Sequence, residues 1–550
     1  MLKHSLISDG VFHVTGADGA MACLSLPQVL ARLSAGEDLG FDALRPHQRP
    51  AWHAFLVQLA YLALEGAEEP VPPTTAQAWC DKLRALTPGH DDDDAPWCLV
   101  NSDWQRPAFM QSPCSAARMA DFKRTADSAQ DIDVLVTARH HDEKTGKLPL
   151  DEHSLDSLVF ALISLQGWSS FMGAGNYNTM RMNGGFSSRP QFRLTFGPRS
   201  TGTEFLRDVQ ALLDARELLF DDAQTQGIGT AAQPPHRLLW LLSWDSGSLP
   251  LSSVHPLCLE VCRRVRLVVD GEGGRLLLRR AASDAMRVAA KDQRGCVLDP
   301  WVPVMNEGQP KALTAQAHTL SYRTLQGLLF DRNKARLPLL AKPSERERRA
   351  NQAGTLVAQV LVSGDGRTDG LLVREVPMSA PVLSRLVTDE AAMARRSQRF
   401  VDLAGQAAGK AYRSALLQFV DGSDDVDWKN RDFTRAVEPW VDRFEQAVDE
   451  VFFTMLFDGI DRRLDDTAAD REWVRWLQAA AQTLLLEAVQ SLPTREPSRL
   501  FAQARAERFF WLSWNKQFGA LVGSLNGAVP GALASASSAA PFMTPEPAHE

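Results

Sequence analysis

The sequence predicts an α+β protein, in which a large mixed α/β N-terminal domain precedes a C-terminal four-helix bundle. Three observations favour this fold class. Strand-like runs and helical patterns alternate up to about residue 380, helical periodicity dominates after Pro381, and the last four helical segments have short connections. A chain of 550 residues is also expected to form more than one domain.

Local patterns define the main elements of the N-terminal domain. Apolar residues at helical spacing predict an amphipathic helix over His47–Leu64 and a buried helix over Leu155–Trp168. The runs RVRLVVD and GRLLLRR predict strands. Two β-rich runs around a Gly/Asp turn predict a hairpin over Val360–Val376.

Beyond Pro381 the chain has the pattern of a helical bundle. Its apolar residues step by three or four, which predicts one buried stripe. That stripe consists of Phe433, Val437, Trp440, Phe444, Val448, Val451 and Met455. We therefore divide the chain into an N-terminal domain over 1–380, a bundle over 381–525 and an Ala/Ser/Pro-rich tail over 526–550 that is expected to be disordered.

Composition excludes several classes of protein. A net charge of -8 argues against a polybasic binder, and no apolar run approaches membrane-spanning length. The N-terminus MLKHSLISDGVFHV lacks the apolar core of a signal peptide. The seven cysteines form no CxxC pair, so a Cys-rich zinc site is not expected, and free thiols indicate a reducing cytoplasm.

The window between Asp156 and Glu204 is the most informative stretch, because it contains no acidic residue. Its centre reads MGAGNYNTMRMNGGFSSRP, which is rich in Gly, Asn and Arg. Glycines allow a backbone to approach a ligand closely, and Arg and Asn present forked donors that suit phosphates and base edges. The window therefore predicts a surface that contacts nucleic acid.

Catalytic motifs are weak by comparison. The segment Arg139-His140-His141-Asp142 contains a His-Asp pair, but further metal ligands at helical spacing are not evident nearby. The hairpin tip lacks the Gly-Lys-Ser/Thr of a phosphate-binding loop, and no nucleophile elbow or HExxH occurs. These patterns indicate a protein without catalytic residues, cofactor or bound metal.

Several motifs, taken in order, resemble one family over nearly the whole chain except its C-terminal tail. They are LSLPQVLARL, LRPHQRPAWHAFLVQLAYLAL, RPAFMQSP, DVLVTARHHDEK, MGAGNYNTMRMNGGFSSRP, HPLCLEVCRRVRL and DPWVPV, followed by the four-helix bundle. The chain thereby resembles the CasA family, which provides the large subunit of the type I-E CRISPR surveillance complex, Cascade.

The resemblance implies a non-catalytic role in antiviral defence. Family members recognise the protospacer-adjacent motif (PAM) in double-stranded DNA, start the unwinding that forms the R-loop, and help recruit the helicase-nuclease. Base pairing with guide RNA reads most of the target, while protein reads only the short flanking motif. The implied partners are the guide RNA, the DNA duplex, the helicase-nuclease, and the backbone, small and 5′-handle-binding subunits of Cascade. No membrane is involved.

The resemblance also implies a role for particular residues. The family's glycine loop, which approaches the minor groove, corresponds to Gly173-Ala174-Gly175-Asn176, and Arg181, Asn183 and Arg189 flank it. The basic finger falls at Arg287 or Lys291, because Val288 occupies the position directly in register.

Two more family elements, a wedge and a loop, also correspond to positions in this chain. The strand-separating wedge corresponds to Arg367-Thr368-Asp369-Gly370, where Asp369 stands in place of the family's usual Gln. The loop that senses the motif and anchors the guide-RNA end corresponds to residues 136–147. The candidate residues in this loop are Val136, its first residue, and the polar residues Thr137, Arg139, His140 and Lys144. The paired CxxC motifs that hold zinc in some members are missing, so no metal is expected.

Two readings from other functional classes stay open at this point. One is a metal-dependent nuclease that uses His140, His141 and Asp142. The other is a structural interaction protein built around the helical bundle. Binding to motif-bearing duplex without cleavage in magnesium separates the DNA-reading subunit from both.

Overall fold

The structure is a computed structural model that describes residues 2–90, 92–133, 155–185, 187–231, 234–270, 275–364, 367–423 and 425–523. Contacts between residues divide the chain into two compact units, Met1–Ser397 and Gln398–Glu550. The boundary therefore falls 17 residues later than position 380, since 397 minus 380 is 17. The predicted fold class is confirmed: a mixed α/β unit precedes a helical one.

The first unit contains short strands in small sheets, with helices packed among them. Its strands are Leu2–Ser5, Phe12–Gly16, Met21–Leu24, Leu39–Phe41, Cys98–Asn101, Arg124–Ala126, Gln191–Phe196, His236–Leu238, Leu249–Pro250, Val254–Leu259, Arg264–Asp270, Arg275–Ala281, Val288–Ala289, Val304–Met305, Lys311–Ala312, Ala335–Arg336, Gly354–Gly364 and Arg367–Met378. Its helices are Leu26–Ser34, Arg49–Leu64, Ala76–Ala85, Ala129–Asp133, Leu155–Trp168, Thr201–Asp214, Arg216–Thr225, Tyr322–Phe330, Glu345–Ala350 and Ala380–Thr388.

The core of this unit forms around two apolar helices. Arg49–Leu64 and Leu155–Trp168 are buried on nearly all sides, which explains why both are almost uniformly apolar. Aromatic rings join them: the ring centroids of Trp52 and Phe160 lie 5.0 Å apart, in an edge-to-face arrangement. Both helices were predicted from the sequence, and both predictions are confirmed.

Two sheets position the elements discussed below. In the first, strand Arg275–Ala281 lies between Arg264–Asp270 and Arg124–Ala126, and both pairings are antiparallel. In the second, strand Gly354–Gly364 lies between Arg367–Met378 and Gln191–Phe196, also antiparallel. The predicted hairpin is confirmed, and the acid-free window itself supplies the third strand of this sheet.

The second unit is built from long helices with short connections. A helix that begins at Glu390 continues through a π-helical turn, Ala407–Tyr412, into Arg413–Asp421. The other helices are Arg431–Asp461, Asp466–Ser491 and Arg499–Val522. Apolar residues of all these helices form its core, where for example the rings of Phe400 and Trp473 stack with centroids 5.3 Å apart. These helices form the predicted four-helix bundle.

One detail of the predicted stripe is wrong. Phe433, Val437, Phe444 and Val448 are buried, but Trp440, Val451 and Met455 are only partly buried. Phe452 and Leu456 take their place in the core. After Val448 the predicted stripe continues by a step of three residues, to Val451, whereas the buried face continues by a step of four, to Phe452, so the last two predicted positions lie beside the buried face.

No helix among the described residues is long and apolar enough to cross a membrane.

Candidate nucleic-acid interface

The glycine loop, Gly173–Asn176, is a tight turn that is partly open to solvent. The backbone N–H of Asn176 donates to the carbonyl oxygen of Gly173 at 3.0 Å, and the N–H of Met172 donates to the carbonyl oxygen of Asn176 at 3.0 Å. Gly173 has φ +89°, and no atom lies within 4 Å of the place where its Cβ would be. Ala174 is exposed. A ligand can therefore approach this backbone without meeting a bulky side chain.

The second glycine of the loop faces inward. Gly175 is buried with φ +83°, and a Cβ there would lie 2.8 Å from the Cβ of Ala282. The carbonyl oxygen of Gly175 accepts hydrogen bonds from the backbone N–H of Ser283 at 3.1 Å and from its hydroxyl at 3.2 Å. Gly175 thus allows the loop to pack directly against the chain that follows strand Arg275–Ala281.

Arg181 lies in the core and cannot reach DNA. Its side chain is 1 % exposed and forms an ion pair with Glu260 at 2.7 Å. The same guanidinium donates to the carbonyl oxygens of Pro256 at 2.8 Å and Cys258 at 3.0 Å. The second Glu260 oxygen accepts from the backbone N–H of Met180 at 3.0 Å, so this carboxylate fixes the chain just beyond the glycine loop.

Arg189 is buried as well. Its side chain is 2 % exposed, and the guanidinium carbon lies 4.2 Å from the ring centroid of Trp168 and 5.3 Å from that of Trp301. Its Nε lies 2.5 Å from a carboxylate oxygen of Asp299. Direct DNA contact by Arg181 and Arg189 is therefore a wrong prediction. The arginines of a window without acidic residues can still form ion pairs, because distant parts of the chain supply the carboxylates.

The structure also separates the two candidates for the basic finger. Arg287 is 4 % exposed, lies over the ring of Trp244 at 4.9 Å, and donates to the carbonyl oxygens of Ser243 at 3.2 Å and Leu242 at 3.0 Å. Burial lowers the pKa of Arg287 to about 10, which leaves it a cation at neutral pH. Its donors point to the protein interior, so it is not available as a finger.

Lys291 is the accessible candidate. It begins the short 3-10 turn Lys291–Gln293, is exposed, and forms no ion pair with a described residue. Its segment, residues 282–295, contacts the glycine-loop region at both ends. Ala282 meets Gly175, and a Cβ on Gly295 would lie 3.0 Å from the carbonyl oxygen of Arg181. Lys291 thus belongs to a segment whose two ends pack against Gly175 and against the backbone of Arg181.

Asn183, the remaining flanking candidate, is partly exposed on the same stretch of chain.

The hairpin tip carries the predicted wedge. Strands Gly354–Gly364 and Arg367–Met378 pair with a register shift between Val362 and Ser363, and Gly370 adopts φ +123° opposite Val362. Arg367, Thr368 and Asp369 belong to the second strand near its start, and their proposed contacts stay a prediction. Closer to the root of the hairpin, the N–H of Leu361 donates to the Ser188 hydroxyl at 2.9 Å, which links the hairpin to the acid-free window.

The predicted guide-end loop lies outside the described residues. This applies to Val136, Thr137, Arg139, His140 and Lys144, and equally to the His140, His141 and Asp142 of the nuclease alternative. Elsewhere in the described ranges, no group of three or more His, Cys, Asp or Glu side chains is arranged to hold a metal ion.

The residue at the root of that loop is well defined. The carboxylate of Asp133 is completely buried. One of its oxygens accepts hydrogen bonds from Arg45 at 2.8 Å, His47 at 2.7 Å and Gln48 at 2.7 Å. Asp133, the last described residue before the predicted loop, is therefore firmly anchored.

Two predicted elements, the glycine loop and the hairpin, meet at one cavity of about 230 Å³. Asn176 of the glycine loop and Leu361 of the hairpin line it, together with Asp133. The rest of its wall is His47, Arg124, Ser164, Leu165, Trp168, Ser169, Ser170, Met172, Ser188, Arg263 and Arg280. Sequence reasoning missed Arg124 and the cavity itself. No local pattern could reveal them, because the lining comes from segments far apart in the chain.

Comparison with known proteins agrees with this layout. The sequence model of the family described as CRISPR-associated protein Cse1 matches residues 244–486. Among curated proteins, none matches the chain.

Solved structures of Cse1 proteins have the same fold. Cse1 from Acidimicrobium ferrooxidans superposes with a TM-score of 0.64 at 14% identity, covering 95% of this chain and 99% of that one. CasA from Thermus thermophilus gives 0.62 at 14% identity, with 94% and 100% coverage. Cse1 from Thermobifida fusca gives 0.60 at 12% identity, with 94% and 98% coverage. The resemblance expected from the sequence motifs is thereby confirmed.

Proposed function

We propose that this chain, which belongs to the Cse1 (CasA) family, is the non-catalytic large subunit of an RNA-guided type I-E Cascade complex. In this role it recognises the PAM in double-stranded DNA and starts the unwinding of the adjoining duplex. The observation that carries the proposal is the glycine loop. Gly173 exposes backbone that no side chain covers, and packing at Gly175 holds this backbone in place.

Recognition of the motif takes place in the minor groove. A turn whose exposed residues are Gly173 and Ala174 carries little side-chain bulk and fits a groove only about 6 Å wide, where base pairs offer few distinguishing groups. The preference for a motif is therefore expected to be relaxed. Lys291, exposed on the segment that packs against the loop, supplies the positive charge that such an approach needs.

The other predicted elements complete this role. The hairpin tip at Arg367–Gly370 enters the duplex next to the motif as a wedge, with guide RNA pairing to the opened strand. The loop at residues 136–147 anchors the subunit on the guide-RNA end. Through other surfaces the subunit contacts the remaining Cascade subunits and recruits the helicase-nuclease that degrades the target. Since it acts on guide RNA and invading DNA, we expect it to work in the cytoplasm.

A matched pair of glycine substitutions tests the proposal. Gly173→Val adds a side chain at the exposed turn, and Gly89→Val adds the same side chain at a turn with nearly the same backbone, φ +84°, and equally open surroundings. Both variants carry the same backbone strain, so their stabilities should fall by a similar amount. Only Gly173→Val should weaken binding of motif-bearing duplex to the assembled complex, by about tenfold or more.

The measurement is an equilibrium titration of fluorescent duplex, with and without the motif, into complexes that contain each variant. Equal affinities for the two variants would contradict the assignment of the glycine loop.

The same samples, incubated with magnesium, test the nuclease alternative. We expect intact duplex. Cleavage that disappears in a His141→Ala, Asp142→Ala variant would replace our proposal with a metal-dependent nuclease.

A further inference from the structure

The cavity between the glycine loop, the hairpin and Asp133 is lined mostly by residues that none of the roles above uses. We propose that it is a binding pocket for one unstacked nucleotide, which places its base inside and its phosphate at the mouth. This inference rests on the proposed function only in expecting the nucleotide to come from the guide RNA or from an opened DNA strand.

The size and walls of the cavity suit a single base. At about 230 Å³ it is smaller than the roughly 300–1,000 Å³ typical of sites for drug-sized ligands. Leu165, Trp168 and Leu361 provide apolar wall, against which a flat ring can pack. Asp133 and Ser164 add polar groups to the same cavity. A pocket of this kind offers both surfaces that a base needs, a hydrophobic wall and a polar edge.

Two polar atoms in the wall have no hydrogen-bond partner among the described residues. One oxygen of Asp133 accepts three hydrogen bonds, but the other, equally buried, accepts none from any described residue. The hydroxyl of Ser164, a residue 8 % exposed, likewise has no partner in the described ranges. An unsatisfied buried acceptor destabilises the protein, so a ligand that donates a hydrogen bond here is favoured. The N–H groups on the edge of a nucleobase are such donors.

Positive charge gathers at the same place. Arg280 and Arg124 stand directly opposite each other on adjacent antiparallel strands, an arrangement in which like charges repel. Arg263, which is buried, lines the cavity beside them. Burial, and after it the cation of Arg263, lower the pKa of Arg280 to about 10. An anionic group bound between Arg124 and Arg280 would remove this repulsion.

These two features together identify the class of ligand. A free phosphate would satisfy the arginines but would be repelled by the unpaired oxygen of Asp133. A neutral small molecule would satisfy Asp133 but not the arginines. A nucleotide has hydrogen-bond donors at one end and a phosphate at the other, so it satisfies both. The carboxylates of Asp131 and Asp133 offset part of the positive charge of Arg280, while Arg124 is exposed to solvent.

The first test fills the cavity without removing a contact. Ser164→Leu replaces a hydroxyl that has no partner, and Ser157→Leu makes the same change on the same helix away from the cavity. The purified full-length chain is titrated with two decamers of one sequence, single-stranded DNA and single-stranded RNA, and with versions that carry one abasic position. We expect Ser164→Leu to weaken binding of at least one decamer by about tenfold, and Ser157→Leu to leave it unchanged.

The abasic decamers show whether a base occupies the pocket. One abasic position should weaken binding to the wild-type chain and have no further effect on Ser164→Leu. Loss in the RNA arm alone identifies the guide as the source, and loss in the DNA arm alone identifies the target strand; either result supports the pocket. Equal binding by the two serine variants overturns it. So does an abasic scan without effect, since the site would then hold a phosphate only.

A second pair of variants covers the case in which Ser164→Leu does not fold. Arg124→Glu reverses the charge at the mouth, while Lys123→Glu makes the same change at the neighbouring exposed residue, which does not line the cavity. Only Arg124→Glu should weaken the decamers. Wild-type affinity for Arg124→Glu would contradict the pocket. Failure here leaves the duplex result for Gly173→Val untouched, and failure of Gly173→Val leaves the decamer result standing, so the two proposals can be rejected separately.

Discussion

Two neighbouring stretches of the same acid-free window have opposite environments. The glycine loop, Gly173–Asn176, turns its first residues to solvent, whereas Arg181 and Arg189 point into the core. Both stretches lack acidic residues, and both were expected to face DNA. The difference teaches that in this window glycine provides the accessible surface, and arginine provides the framework beneath it.

The reason lies in the chemistry of the two residue types. A guanidinium carries five donors in a rigid fork and can bind several carbonyl and carboxylate oxygens at once. Arg181 does so with Glu260, Pro256 and Cys258. Because these oxygens are supplied by residues some 75 to 79 positions away, the local charge of a window does not determine the charge of its surface.

The largest effect on stability is expected when a buried arginine of the window is replaced. Arg181→Ala leaves Glu260 as an unpaired buried charge, and breaking a buried pair in this way costs about 3–5 kcal/mol in the free energy of unfolding. Arg199→Ala is the matched control, because Arg199 belongs to the same window but is partly exposed with Glu204 and Glu375 as partners. It should cost less than about 1 kcal/mol. Denaturant unfolding of both variants gives the comparison.

Equal stability of Arg181→Ala and Arg199→Ala would contradict our conclusion that the buried arginine stabilises the fold more than the partly exposed one.

A smaller loss of stability is expected at Arg287. Arg287→Ala leaves the carbonyl oxygens of Ser243 and Leu242 without their donor and removes the cation from the ring of Trp244. We expect the free energy of unfolding to fall by about 2–3 kcal/mol. Discrimination between duplexes with and without the motif should be unchanged at a temperature where the variant is folded. Altered discrimination in a stably folded Arg287→Ala complex would return Arg287 to the DNA-contacting surface.

Lys291 should give the reverse result, with the smallest energy. Lys291→Ala removes an exposed charge that has no ion pair among the residues described, so stability should change by less than about 0.5 kcal/mol. Duplex binding should weaken several-fold, and the slope of log affinity against log salt should fall by about 1, as for one lost phosphate contact. Titrations at three or more salt concentrations measure this slope. An unchanged slope would mean that the charge contacting the duplex lies elsewhere.

Much of the fold follows from local patterns. Helices such as Arg49–Leu64 and Leu155–Trp168, and the bundle helices, reveal themselves because each buries a continuous apolar face. The hairpin is equally predictable from the sequence, since two β-rich runs flank its turn. The exact buried face of a long helix is harder to predict, as Val451 and Phe452 illustrate, because steps of three and of four residues are both compatible with a repeat of 3.6.

The candidate site is only partly predictable. A positive-φ turn can be inferred from the glycines at 173 and 175, and its exposure agrees with that inference. The choice between Arg287 and Lys291 depends on contacts of Arg287 with Trp244 and with two carbonyl groups. No sequence pattern near Arg287 predicts these contacts. The cavity requires still more, because Asp133, Ser164 and Arg280 come together only when strands and helices from distant parts of the chain pair and pack.

The three-stranded sheet that carries the hairpin has a mechanical consequence. Strand Gly354–Gly364 is hydrogen-bonded on one side to its hairpin partner and on the other to Gln191–Phe196, the continuation of the glycine-loop segment. Antiparallel hydrogen bonds run perpendicular to their strands, so a push along the long axis of the hairpin loads all of them together rather than one after another. If the tip meets a duplex as we propose, the sheet would carry the resisting force from the hairpin into the chain that bears the glycine loop.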